Sequence, residues 1–399
     1  MTFMFCAGIE GSNPTIDDGT TRRDQYRECG HYARWEEDFD LAQEIGVSHL
    51  RYGPPIHTTW LGDESYNWEF ADATFGRLRE LGIEVIADLC HFGLPDWLGN
   101  SFQNEDFPTL FAGYAEAFAR RYSWVRLYTP VNEIMICARF SALYGYWNEQ
   151  LQSERGFVTA LKHLTKANML AMQAILRVRP DALFVQSEDA NYFHPEAPDA
   201  IPIARRRAEE SMIAFDLTFG RPPDASTLLY LMENGLSRQE FEWFMAQRVR
   251  RHCIMGLDYY FTSEQRISAD GKATPAGDVF GFAELARAYW QRYHIPLLHT
   301  ETNWPQGPQG DEAVTWLFRQ FACAMRLRRS GVPLLGFTWY SLGDQTDWDI
   351  VLRDMRGRTF PVGLFDMDRA IRPVGAAYRR LIAEWGPLLN QETDCLRVG

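Results

Sequence analysis

A chain of 399 residues with 46% hydrophobic side chains holds ample apolar material for a large core. Its formal net charge of −13 at pH 7 argues against nucleic acid and anionic membranes as partners, since both attract basic surfaces. No uninterrupted apolar stretch is long enough to span a bilayer. The elements run in strict alternation. Strands are expected over 3–7, 49–53, 84–90, 125–132, 183–188, 254–261, 296–301 and 334–340. Helices are expected between them over 34–45, 70–81, 108–122, 155–178, 238–252, 280–293 and 311–330, with a last one near 375–384. Residues 205–220 form a further helical stretch before the sixth strand, and the Pro-rich segments 195–202, 220–226 and 304–311 read as loops. Gly46, Gly82 and Gly331 each follow a helix and precede a strand, where a left-handed C-cap is wanted.

Eight βα units of this kind imply an α/β fold, a closed (β/α)8 TIM barrel forming one domain over 1–399 with its working loops at the C-terminal face. No GxGxxG turn marks a dinucleotide fold, no HExxH or His/Asp cluster marks a metal site, and no cofactor is expected. The N-terminus lacks the basic region of a signal peptide. The seven cysteines, Cys6, Cys29, Cys90, Cys137, Cys253, Cys323 and Cys395, are odd in number and contain no CxxC. They read as reduced thiols of a cytoplasmic protein.

In such barrels the chemistry sits where the strands end. Strand four ends Thr129-Pro130-Val131-Asn132-Glu133 and strand seven ends Leu297-Leu298-His299-Thr300-Glu301. Two carboxyls across one barrel mouth are what cleavage of a glycosidic bond needs. One protonates the leaving oxygen and the other lies under the anomeric carbon, about 5–5.5 Å away in retaining enzymes. Two such groups at close range raise one pKa, so one holds its proton near neutral pH. Tyr260 is placed to hydrogen-bond Glu301, Arg51 to add positive potential beneath it, and Asn132 to bind the sugar 2-hydroxyl.

The chain resembles glycoside hydrolase family one from Gly8 to about Ile382. The likeness rests on Ile9-Glu10-Gly11, on Cys29-Gly30-His31-Tyr32 with Leu50-Arg51-Tyr52, and on His91-Phe92-Gly93-Leu94-Pro95-Asp96-Trp97-Leu98. It continues through Thr129–Thr302 motifs, namely Thr129-Pro130-Val131-Asn132-Glu133 and Thr300-Glu301-Thr302-Asn303, to Tyr340-Ser341-Leu342-Gly343-Asp344-Gln345-Thr346-Asp347-Trp348. The resemblance implies Glu133 as acid/base and Glu301 as nucleophile of a retaining β-glycosidase acting on a small β-glycoside or oligosaccharide. It implies that His91 binds the 3-hydroxyl of the sugar and that Asp347, where the family has Glu, binds the 4- and 6-hydroxyls beside Trp348. The aromatic under the sugar falls to Trp339 or Tyr340; ungapped matching favours Tyr340, and the larger ring favours Trp339. Transglycosylation and a non-catalytic sugar-binding barrel remain alternatives.

Four departures stand out: Gly8 in place of the family's Gln, Phe92 in place of Trp, Asp258 in place of Asn, and Lys162-His163 in place of a double His. Gly8 and Asp347 are expected to make room near the 4- and 6-positions, which allows a glycone other than glucose. Arg353, Arg356 and Arg358 form a cluster that reads as a solvated loop or a phosphate contact, with Asp347 set to repel phosphate. Candidate contacts to the leaving group are His57, Trp60, Asn191, Tyr192, His194 and Trp304.

Overall fold

The computed structural model describes residues 2–307 and 309–395. Eight parallel strands close into a barrel: β1 Met4–Gly8, β2 His49–Tyr52, β3 Glu84–Asp88, β4 Leu127–Thr129, β5 Leu183–Asp189, β6 Cys253–Asp258, β7 Leu297–Glu301 and β8 Leu334–Tyr340. Each pairs with its sequence neighbours, and β8 returns to β1 with Tyr340 opposite Gly8. Every strand is wrapped by helix, so both its faces are buried and its sequence reads as an apolar run. The outer helices include His31–Ile45, Glu69–Glu80, Phe107–Arg121, Glu154–Val178, Phe282–Tyr293, Asp311–Arg329 and Pro373–Cys395. Gly46, Gly82 and Gly331 adopt φ of 87°, 69° and 89°, the left-handed C-caps that the sequence asks for.

The main core lies between strands and helices, and a second apolar cluster of Met4, Cys6, Ile86, Leu127, Val185, Ile254 and Leu298 plugs the barrel interior. Above that plug the inward positions turn polar: Arg51, Asp88, Ser187 and Asp258 are all buried there. The barrel is therefore a stack of layers, apolar below and charged towards the C-terminal face.

Several sequence expectations are corrected: strand six ends at Asp258 rather than 261, the stretch 205–220 falls in two helices, Ile201–Glu210 and Ile213–Phe219, and the helix expected over 238–252 ends at Ala246. Strand four ends at Thr129 rather than at 132, because Thr129 is followed by Pro130 and the chain leaves the ladder. Segment 195–202 is not a loop throughout, since a helix begins at Ile201, with Pro202 in its first turn where its missing N–H costs nothing. Segment 220–226 ends inside the helix Ala225–Glu233, whose N-cap Asp224 accepts from Ser226 and Thr227. The loop at 304–311 stands, with Pro308 outside the described residues. Cys6, Cys29, Cys90, Cys137, Cys253 and Cys323 are unpaired, and the Cys395 side chain lies outside the described part. Among the described residues, no helix is long and apolar enough to cross a membrane.

Candidate active site

A cavity of about 960 Å³ opens at the C-terminal face and is lined by both Glu133 and Glu301. Local backbone aims each of them. Glu133 sits just past β4 with φ 40°, a left-handed conformation that is uncommon for a residue with a side chain. Its N–H donates to the Ser187 carbonyl at 3.0 Å. The next two N–H groups, of Ile134 and Met135, donate to the Glu188 carboxylate at 2.8 and 3.2 Å. Burial pushes Glu188 itself up to about 8, against the pull of those donors. Glu301 owes its direction to a bulge. The β6–β7 ladder pairs Leu257 with His299 and then Asp258 with Glu301, so Thr300 is the extra residue. The bulge turns Glu301 inward although its neighbour Thr300 already faces Gly256.

The two carboxyls sit in opposite electrostatic settings. Burial, and then the charges of Asp258 and Glu301, push Glu133 well above the usual carboxylate range. Glu301 instead accepts from Arg51 Nη1 and from the Tyr260 hydroxyl, the latter at 2.5 Å. Arg51, 2% exposed, is the hub of the floor. It also donates to Asn132 Oδ1, to the Ser187 hydroxyl at 3.2 Å and to Asp88 at 2.9 Å. Asp88 accepts from His91 Nδ1 at 2.8 Å, and Asn132 places its amide nitrogen 3.1 Å from His91 Nε2. Since the Asn132 oxygen faces Arg51, its amide donates to His91, which then carries its proton on Nδ1. Burial lowers the His91 pKa, but Asp88 and Glu10 outweigh it and the net direction is upward.

The sequence reading brings together Glu133, Glu301, Arg51, Asn132, Tyr260 and His91. Trp348 also lines the cavity, and its buried indole N–H has no partner among the described residues. Two expected residues lie elsewhere. Trp339 points outward into the main core, fully buried, with its indole N–H donating to the Val362 carbonyl at 2.9 Å. Alternation along β8 sends it to the face opposite Tyr340. Asp347 does not reach the cavity. Its carboxylate accepts the backbone N–H groups of Arg356, Gly357 and Arg358, each at 2.9 Å, and pairs with Arg23 at 3.1 Å. It organises the loop after β8. Tyr340 does face inward, but its ring lies in the floor, 2% exposed, stacked parallel to His91 and beneath the Arg51 guanidinium.

The space opposite Gly8 is also not free for a sugar. A Cβ at Gly8 would lie 2.2 Å from the Tyr340 ring, so the missing side chain makes room for tyrosine. Of the candidate leaving-group contacts only Asn191 lines the cavity. Trp60 is core, His57 faces Asp24, His194 pairs with Glu264, Trp304 packs on Phe261 and Trp316, and Tyr192 is exposed beside Phe280. Arg353 lies over Tyr146, and Arg356 and Arg358 pair with Asp354 and Asp349, so that cluster is internally satisfied.

The sequence reading missed several residues. Glu10 lines the cavity, accepts from Ser12 and from Gln345 at 3.1 Å, and is pushed up by burial. Asp258 ends β6 directly beside Glu301 in the ladder, and Asp189 ends β5 on the other side of Asp258. The Ser187 hydroxyl donates to Asp258, 2.8 and 3.0 Å from its two oxygens. The signal that picked strands four and seven, an acid at the strand end, was present on strands three, five and six as well.

Comparison with known proteins bears on this geometry. The family model described as Glycosyl hydrolase family 1 matches residues 15–223, a stretch that includes Glu133 and ends before Glu301. A β-glucosidase of an Agrobacterium species is 23% identical over 354 residues, 80% of this chain and 77% of its own length. A 6-phospho-β-glucosidase of Clostridium longisporum is 22% identical over 367 residues, 78% of this chain and 76% of its own. The solved β-glucosidase of Thermotoga maritima in complex with deoxynojirimycin shares the fold, with a TM-score of 0.80 at 17% identity over 96% of this chain and 97% of that one. With half of its length matched by the family model and the barrel reproduced throughout, this chain belongs to glycosyl hydrolase family 1 and is a β-glucosidase-like glycoside hydrolase.

Proposed function

We propose that the protein releases terminal β-linked sugars with retention of configuration, through a covalent glycosyl-enzyme. One observation carries the reading: two glutamates line one cavity, Glu133 pushed towards its protonated form and Glu301 clamped by Arg51 and Tyr260. In the first step a Glu301 oxygen bonds to the anomeric carbon while Glu133 gives its proton to the departing oxygen. Ester formation removes the negative charge of Glu301, which is one of the causes that raise Glu133. Glu133 is then the stronger acid, remains ionised and takes a proton from water, whose oxygen displaces Glu301. Glu10, Gln345 and Trp348 offer donors and acceptors for the sugar hydroxyls, and His91 and Asn132 bind one by exchanging the hydrogen bond between them for bonds to the sugar. The Thermotoga maritima relative binds deoxynojirimycin, a sugar-like inhibitor, which supports a monosaccharide-sized glycone subsite here too.

Incubation with a 2-deoxy-2-fluoro aryl β-glucoside, followed by mass spectrometry of a digest, tests the reading. One equivalent of label is expected on the peptide that contains Glu301. Label on another peptide would remove the nucleophile assignment.

A further inference from the structure

The cavity has two halves. Glu10, His91, Gln345 and Trp348 line one, and the segment after Glu133 with the helices inserted between β5 and β6 lines the other. The acid at the junction must touch the leaving oxygen, so the second half receives the leaving group. Its polar groups are unevenly satisfied. The Glu154 carboxylate accepts from the Tyr230 hydroxyl, Asp189 accepts from Asn191 at 2.6 Å, and Glu210 has Arg206 at 3.5 Å. The cations are less occupied. Arg207 gives one N–H to the Gly271 carbonyl at 2.7 Å. The side chain of Arg139, half-buried in the cavity wall, makes no hydrogen bond or ion pair among the described residues, its backbone alone being bonded, to Tyr144 and within the helix. Its charge is felt by Glu188, Asp189 and Glu210, all three pushed up by burial, yet it pairs with none of them. Its side-chain donors are thus left open. Arg139 follows Glu133 by a turn and a half of helix, about 9 Å of rise.

What this half lacks is an acceptor bonded to the Arg139 side chain. A planar guanidinium best matches a carboxylate or phosphate, which it binds through two parallel N–H groups. We propose that the leaving-group half of the cavity is a subsite for an anionic group, carried on the aglycone and held by Arg139 and Arg207. This inference rests on the glycosidase reading above.

The test compares three aryl β-glucosides that differ only at the para position: carboxylate, its methyl ester, and a phosphate monoester, with the 4-nitrophenyl glucoside run alongside. The ester is the better leaving group, so intrinsic reactivity works against the expected result. For the wild-type protein, kcat/KM for at least one anionic substrate is expected to exceed that of the ester about tenfold, the worth of one charge-assisted contact. Whichever anion is preferred identifies its source. Arg139→Gln and Arg207→Gln should each lower that ratio several-fold, and Arg139→Lys should keep part of it. An ester cleaved as well as both anions by the wild-type protein overturns the subsite, as does a ratio unmoved in both glutamine variants. Failure to cleave the 4-nitrophenyl glucoside or any other aryl β-glycoside would instead remove the glycosidase reading beneath it.

Discussion

Glu133 is the residue whose environment says most. It is 9% exposed, has three further carboxyls near it besides Glu301, and makes no ion pair among the described residues. A group so placed keeps its proton, which is what an acid catalyst needs. Glu133→Gln is expected to cost about 10²–10⁴-fold in kcat on alkyl glycosides, which need protonation, and far less on 2,4-dinitrophenyl glycosides, which do not. Equal losses on both would show that the side chain serves structure rather than proton transfer. Asp258 shares the crowding. Burial and the Glu301 charge raise it well above its ordinary value, even with Arg51 and Ser187 pulling it down. A carboxyl raised on folding costs stability once pH passes its unfolded pKa, near 3.8, and the cost grows until the folded pKa is reached. Asp258→Asn should therefore raise Tm at pH 7 by something on the order of 1–3 °C, with the gain vanishing below pH ~4. A Tm lowered at both pH values would mean that the ionised carboxylate is needed to hold Arg51 and Ser187.

At the scale of elements, two strand-level events shape the floor. The β6–β7 bulge puts Glu301 on the inner face, and the β8–β1 pairing seats the Tyr340 ring on Gly8. Neither is visible in period-two alternation, because a bulge adds a residue without a compositional mark and Gly8 gains its meaning from a residue far away in sequence. Gly8→Ala should displace Tyr340 and destabilise the fold by about 1–3 kcal/mol. In a double-mutant cycle with Tyr340→Ala the two costs should fall short of additive by about 1 kcal/mol, measured by chemical denaturation. Strict additivity would mean that the ring and the glycine do not meet. The loop after β8 teaches a related lesson. Asp347 matches a sugar-binding position by order in the chain, yet its lone pairs are consumed by three backbone N–H groups and Arg23.

For the molecule as a whole, the barrel mouth concentrates acids. Glu10, Glu133, Glu188, Asp189 and Asp258 all have pKa values raised by burial. The ion-paired carboxyls Asp24, Asp38 and Asp88 are shifted down, so they stay ionised above pH ~6. Glu188, pushed up to about 8, gives up its proton between pH ~6 and ~8.5, and His91, raised above its ordinary value, loses its favourable proton in the same direction. Folding holds extra protons in that range, so stability should fall as pH rises, read as a lower Tm at pH ~8.5 than at pH ~6. A flat or rising Tm would show that the cluster is solvated or paired more fully than its burial suggests.

Much of this was legible without coordinates. Eight alternating βα units with glycine C-caps dictate a wrapped parallel barrel, because buried strands and amphipathic helices carry local periodic marks. Glu133 and Glu301 are legible from their place at strand ends, Arg51, Asn132 and Tyr260 from their positions around that pair, and His91 from the family resemblance. Tertiary structure alone decided which inner face each side chain takes, who occupies the space at Gly8, and which polar groups arrive at the cavity with their hydrogen bonds already spent. Those outcomes depend on register and on distant partners, and a one-dimensional pattern encodes neither.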